Sequence, residues 1–156
     1  MRFTLIDRIC GLKTGEEITA TKSVSLAEEY LQDHFPLFPV LPGVFMLEAM
    51  TEAAAWLIRH SSGFAHSIVT LKEARNVKYA DFVEPGNTLT VHAKLMKQDE
   101  RTTTFKAEGT VEDRQHVSAR LILERYNLAD TNPDDSELDD RCIGQMRELF
   151  DRLYRK

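Results

Sequence analysis

Two cysteines, Cys10 and Cys142, are all that the 156 residues contain. They stand far apart and form no metal-spaced pair. A chain this long needs no disulfide, so both are expected to be buried or incidental thiols in a reducing compartment. Positive charge is also scarce. Twenty Lys and Arg against 25 Asp and Glu leave a net charge of −5, and no basic excess is available to neutralise phosphates, which argues against a nucleic-acid-binding domain. The longest apolar-rich run, residues 40–58, contains Glu48 and Glu52 and is a poor membrane span. The N-terminal residues meet charge at Arg2, Asp7 and Arg8, too early for a signal peptide. A cytoplasmic protein is the simplest reading. No internal repeat or low-complexity segment is visible.

An apolar content of 42% and a charged content of 29% are ordinary for a soluble globular domain, and the length allows one sizeable core. The order of elements is legible from periodicity. An apolar strand over residues 3–9 and a turn around Gly15 lead into alternation at Ile18, Ala20 and Val24, a hairpin partner. Three of the five prolines, Pro36, Pro39 and Pro42, fall close together, and this spacing predicts a stiff, extended loop. From Gly43 to His60 no breaker interrupts a helix that is apolar on every face, hence a buried one. Strands are expected from residues 68–79, then around Leu89–Leu95, Phe105–Val111 and Val117–Leu123, joined by short polar turns into an antiparallel meander. A long buried helix with such a sheet indicates an α+β domain. After Tyr126 an acidic stretch around Pro133 precedes Leu138, Cys142, Met146, Leu149, Phe150 and Leu153 at helical spacing. Asn132 is a candidate N-cap with Pro133 at the first helical position.

Chemistry concentrates between His34 and the first turns of the long helix. Glu48 has apolar neighbours on that helix, so burial should raise its pKa and supply a neutral acid near pH 7. An imidazole at His34, held ahead of the proline loop, is a reasonable base. Backbone N–H groups at the helix start, where Gly43 has no Cβ in the way, suit a developing oxyanion. Together the three would serve proton abstraction beside a carbonyl followed by loss of a hydroxyl. Taken singly, each has a structural alternative: an ion pair or subunit contact for Glu48, a packing role for His34, an ordinary loop-to-helix junction for Pro42-Gly43. His60 and His66 lack metal-ligand spacing, His92 and His116 are expected to face solvent, and no metal site is expected.

The segment His34-Phe35-Pro36-Leu37-Phe38-Pro39-Val40-Leu41-Pro42-Gly43-Val44-Phe45-Met46-Leu47-Glu48-Ala49-Met50 resembles the signature of the 3-hydroxyacyl-[acyl-carrier-protein] dehydratases of fatty-acid synthesis. Leu5-Ile6-Asp7-Arg8-Ile9 is similar to the family's opening strand, and residues 76–89 to its later strand and turn. The resemblance covers about residues 3–126. It implies a hot-dog fold, in which an antiparallel β-sheet wraps a long central helix. Residues 1–127 would form that domain, and residues 128–156 an acidic linker and an extra C-terminal amphipathic helix. It further implies that His34 removes the α-proton, that Glu48 assists departure of the 3-hydroxyl, and that the N–H groups of Gly43 and Val44 polarise the thioester carbonyl. Phe35, Leu37, Phe38 and Glu52 would line the substrate tunnel. The family uses no metal or redox cofactor, since the substrate rides on the phosphopantetheine of acyl carrier protein. It forms homodimers with shared active sites, which often assemble as trimers of dimers.

Two positions depart from the family pattern: Leu37 stands where glycine is common, and Glu52 where glutamine is common. Glu52 lies one turn after Glu48, so the two carboxylates would not both ionise easily. Glu52 would either tune Glu48 or face water at the helix edge. Two further functions stay open on the sequence alone. One is a hot-dog acyl thioesterase, and the other a non-catalytic acyl-binding or assembly subunit, for which Leu37, Glu52 and the extra helix speak. The terminal helix is expected to pack its Leu138, Met146, Leu149 and Leu153 stripe on the sheet or on a neighbouring subunit.

Overall fold

The computed structural model describes residues 4–155. Alternation of apolar and polar residues produces six strands: β1 Arg8–Lys13, β2 Glu17–Ser23, β3 Ile68–Tyr79, β4 Thr88–Gln98, β5 Thr102–Val111 and β6 Arg114–Tyr126. They form one antiparallel sheet in the order β1-β2-β4-β5-β6-β3. The tight β5–β6 turn is made by Glu112 and Asp113, both at positive φ, the backbone that suits the twist of a two-residue hairpin. Three helices complete the fold: α1 Tyr30–His34, α2 Gly43–Ser61 and α3 Ser136–Leu153. The sheet curls around α2, as in the hot-dog fold.

The core lies between this sheet and α2. Ile18, Ala20, Leu89, Val91, Ala93, Phe105, Leu121 and Leu123 point inward from alternate strand positions and are essentially buried. They meet Met46, Ala49, Met50, Ala53, Ala54 and Leu57 of the helix. Small alanines let the sheet approach the helix closely. Each fully buried Leu, Ile or Phe contributes about 1.5–3 kcal/mol relative to exposure.

Several expectations need correction. The first strand begins at Arg8; Phe3, where the sequence pattern starts it, lies outside the described residues. Leu5 and Ile6 are buried without pairing as a strand, because the backbone N–H of Leu5 donates to the Glu52 carboxylate and leaves the ladder unstarted. The proline loop is preceded by α1, which the sequence reading missed, and a turn closed by Phe38 N–H donating to the Phe35 carbonyl interrupts its extended course. The two cysteines need no correction: both are free thiols, and Cys10, being exposed, is of the incidental kind. His116 is buried, held by a 2.9 Å hydrogen bond between Nδ1 and the Arg114 carbonyl. At the C-terminus, Asn132 does accept an N–H, that of Asp134, but it caps the 3-10 turn Pro133–Asp135, and the α-helix proper begins at Ser136. Leu138 is exposed while Asp139 beside it is buried. The Asp139 carboxylate accepts from the backbone N–H groups of Leu128 and Ala129, both at 2.9 Å, and from the Ser67 hydroxyl. That polar anchor fixes the start of α3.

Candidate active site

Pro42 directs the chain into α2 with extended backbone (φ −54°, ψ 136°), and its carbonyl receives the N–H groups of Phe45 and Met46. No side chain caps this helix end, so the first N–H groups, those of Gly43 and Val44, lack an intrahelical acceptor. Together with the helix dipole they make a site for a partial negative charge. A close approach favours glycine at position 43 as well: a Cβ there would lie 3.1 Å from two ring carbons of Tyr79, so the ring would have to give by a few tenths of an ångström. The Tyr79 ring, at the end of β3, therefore rests on bare backbone.

A cavity of about 170 Å³ opens at this point, with His34, Phe35, Gly43, Tyr79, Asp81 and Phe82 among its walls. His34 is the last residue of α1, exposed, with its ring 4.3 Å from that of Phe35. Several apolar groups adjacent in the chain to these wall residues stand in water. Leu37 is fully exposed, Val44 is 64% exposed, and Phe38 stands edge-on to Phe82 at 5.5 Å with both rings largely uncovered. Exposed apolar side chains near a pocket mark a binding surface or a subunit contact.

The two glutamates lie elsewhere. Glu48 is on the outward face of α2, exposed, and absent from the walls of the His34 cavity. Partial desolvation by its apolar neighbours nonetheless raises its pKa, which favours the protonated acid. Glu52, one turn on, is largely buried, and its two oxygens accept from the Leu5 N–H at 3.1 and 3.0 Å. Burial pushes its carboxyl up to about 7; the Leu5 hydrogen bond opposes the rise and the charge of Glu48 adds to it. Glu52 lines a different cavity, of about 460 Å³, between α2 and α3. A single chain thus brings together His34, Phe35, Gly43 and the N-terminus of α2, leaves Leu37 and Phe38 outside the cavity walls, and holds Glu48 and Glu52 apart from them.

Sequence reasoning missed Tyr79 and Asp81. Both fall within the segment of residues 76–89, whose likeness to the family's later strand and turn was the available signal. Among the described residues no group of three or more His, Cys, Asp or Glu side chains converges to hold a metal ion. Nor is any described helix long and apolar enough to cross a membrane.

Residues 1–120 match the FabA-like domain family. The chain is 36% identical over 118 residues to the 3-hydroxyacyl-[acyl-carrier-protein] dehydratase FabZ of Levilactobacillus brevis, covering 76% of this chain and 80% of that protein. It is 38% identical over 121 residues to the FabZ of Lactococcus lactis subsp. cremoris, covering 78% and 83%. Among solved structures, the dehydratase heterocomplex ApeI:P from Xenorhabdus doucetiae superposes with a TM-score of 0.66 at 22% identity, over 81% of this chain and 85% of that one, and this likeness speaks for the fold. With the sheet, the central helix and most of its length matched in this way, the chain belongs to the FabA-like family of dehydratases, FabZ among them.

Proposed function

We propose that this protein dehydrates 3-hydroxyacyl thioesters carried on acyl carrier protein to trans-2-enoyl thioesters, in fatty-acid or related lipid synthesis in the cytoplasm. The observation that carries the reading is the shared cavity of His34 and the uncapped N-terminus of α2, which offers a base and an oxyanion site within one pocket. The thioester carbonyl accepts from the N–H groups of Gly43 and Val44. That polarisation acidifies the α-carbon, and the His34 imidazole takes the α-proton. The electrons of the broken C–H bond form the new double bond, and the C3–O bond breaks. Glu48, whose carboxyl is pushed above its ordinary range by its apolar surroundings, gives its proton to the departing hydroxyl, which leaves as water. A proton passing from the imidazolium to the Glu48 carboxylate restores both groups.

Glu48 stands outside the His34 cavity, so the acid in this reading comes from Glu48 of the partner subunit in a homodimer. The exposed side chains of Phe38, Leu37, Val44 and Phe82 are the surface a second subunit and the acyl chain would cover. Dimers would repeat as a trimer of dimers. The substrate arrives on the phosphopantetheine arm of the carrier, with no metal or redox cofactor. Phe35, Leu37, Phe38 and Glu52 border its path. Residues 1–127 carry the reaction and residues 128–156 form an appendage.

The test is interconversion of a 3-hydroxyacyl-carrier thioester and its trans-2-enoyl counterpart, followed by mass spectrometry, for the wild type, His34→Ala and Glu48→Gln. Removing either group is expected to lower turnover by about 10²–10⁴-fold. Release of free thiol without water loss would make the protein a thioesterase, and binding without turnover, unchanged by His34→Ala, a non-catalytic subunit.

A further inference from the structure

Apart from Glu52 at its edge, the reaction as described makes no use of the cavity between α2 and α3, which is larger than the His34 pocket. Its walls are Ala55 and Trp56 of α2, Val69 of β3, and Met146 and Leu149 of α3. Thr4, Glu52, Arg59 and Gln145 complete the lining, and the two charged groups among them have partners within the fold. Both oxygens of Glu52 are held by the Leu5 N–H, and Arg59 Nη1 donates to the carbonyls of His66 and Ser67 at 3.1 Å. With the carboxylate and guanidinium engaged, the surface left to an occupant is mainly the apolar side of Ala55, Trp56, Val69, Met146 and Leu149, which suits a hydrocarbon better than a charged ligand.

Position on α2 connects this space to the chemistry. Val44, Glu48, Glu52 and Ala55 fall three or four residues apart, and all four are at least partly exposed, so they form one stripe along the helix. Glu48 lies eight residues before Trp56, about 12 Å at 1.5 Å per residue. The far wall is fixed in place. Arg147 donates to the Gly63 carbonyl at 2.7 Å and stacks over the Phe64 ring, while Phe150 packs among Trp56, His60 and Phe64. That wall also lies beyond residues 1–120, the part matching the family.

We propose that this cavity receives the far end of the substrate's acyl chain, and that Met146 and Leu149 of α3 set the longest chain accepted. The inference rests on the dehydratase reading for the placement of the reacting carbons. A chain running from Glu48 along the stripe, past Glu52, reaches Trp56 after about 12 Å and ends against α3.

Trp56 is the only tryptophan, so its fluorescence reports occupancy directly. Saturated acyl-pantetheine thioesters from butanoyl to hexadecanoyl, which have no hydroxyl to lose, are titrated into the wild-type protein. The emission is expected to respond only to chains long enough to reach the cavity. In parallel, kcat/KM is measured across 3-hydroxyacyl lengths for Leu149→Phe and Met146→Phe, with Leu149→Ala as the widening variant. Narrowing should reduce the ratio of long-chain to short-chain kcat/KM by roughly tenfold or more, the scale set by a methylene-sized misfit. Widening should shift the optimum toward longer chains. Emission indifferent to chain length, or variants that change every length by one factor, would overturn the assignment. The two readings fail separately. Absence of dehydration at every length removes the dehydratase, while a length-dependent Trp56 response still establishes the acyl pocket.

Discussion

Replacing Glu52 with glutamine should make the protein more stable, and increasingly so as the pH rises. The Glu52 carboxyl moves from its ordinary 4.5 to about 7 on folding, mainly through burial. A carboxyl raised in this way stabilises the folded state most below pH 4.5, where both states hold the proton. Its contribution falls as the pH climbs to about 7, where the folded state also ionises, and is constant above that. At about 1.36 kcal/mol for each tenfold change in proton affinity, ionised Glu52 costs the folded protein about 3 kcal/mol. Glutamine keeps one carbonyl oxygen for the Leu5 N–H and carries no charge, so it removes that cost. For a chain of this size the gain corresponds to roughly 6–12 °C in melting temperature at alkaline pH. Thermal melts of the wild type and Glu52→Gln between about pH 5 and about pH 9 test this, because the two curves should converge at the acid end and separate through neutrality. Parallel curves, or a wild type more stable than the variant above neutrality, would refute the reasoning and show that Glu52 ionises at little cost.

Two further outcomes follow from packing. Gly43→Ala places a methyl group 3.1 Å from the Tyr79 ring, so ring or helix start must shift. The give required is a few tenths of an ångström, so turnover should fall by roughly tenfold, less than the hundredfold of a displacement near 1 Å at a reacting group. Alanine's helix propensity keeps the melting temperature from falling. Kinetics beside a thermal melt separates the two effects, and unchanged kcat would free the α2 N-terminus of an oxyanion role. Phe150→Ala removes a side chain only 7% exposed and should cost about 3–5 kcal/mol in the packing of α3. Hydrogen exchange in α3 should accelerate and Trp56 emission move to the red, and protection equal to wild type would count against the docking of α3 on α2.

The sheet and the central helix were readable because their residues repeat at the period of the element they build. Residues 68–79 and the breaker-free run from Gly43 follow this rule, and both appear where the pattern puts them. The misses share a cause, side chains that take over the work of backbone partners. Leu5 and Ile6 have strand-like composition, but the Leu5 N–H is claimed by Glu52 from far along the chain. Asp139 reads as one more acid in an acidic run, and only the folded chain brings the N–H groups of Leu128 and Ala129 and the Ser67 hydroxyl to it. His116 alternates like a solvent-facing residue, yet it is buried where β6 pairs with the end of β3, with Ala80 N–H donating to its carbonyl.

The candidate site was legible through spacing rather than through any single residue. An imidazole, a Pro-Gly junction and a carboxyl one turn into a helix are individually commonplace, and their order along the chain is what specified the chemistry. The same order left open how far apart the groups end up. Apolar residues on every face of α2 predicted a helix covered on all sides, but in one chain the face bearing Val44 and Glu48 is open. An apolar residue exposed in the first turn, followed one turn later by an acid already desolvated enough to hold its proton more tightly, is what an interface looks like with one side removed. Covering that face would deepen the desolvation of Glu48 and move its carboxyl further in the same direction. Assembly and acid strength are therefore coupled in this reading. Weakening the dimer by Val44→Asp should lower dehydration at concentrations where the subunits separate, and raising the protein concentration should restore it.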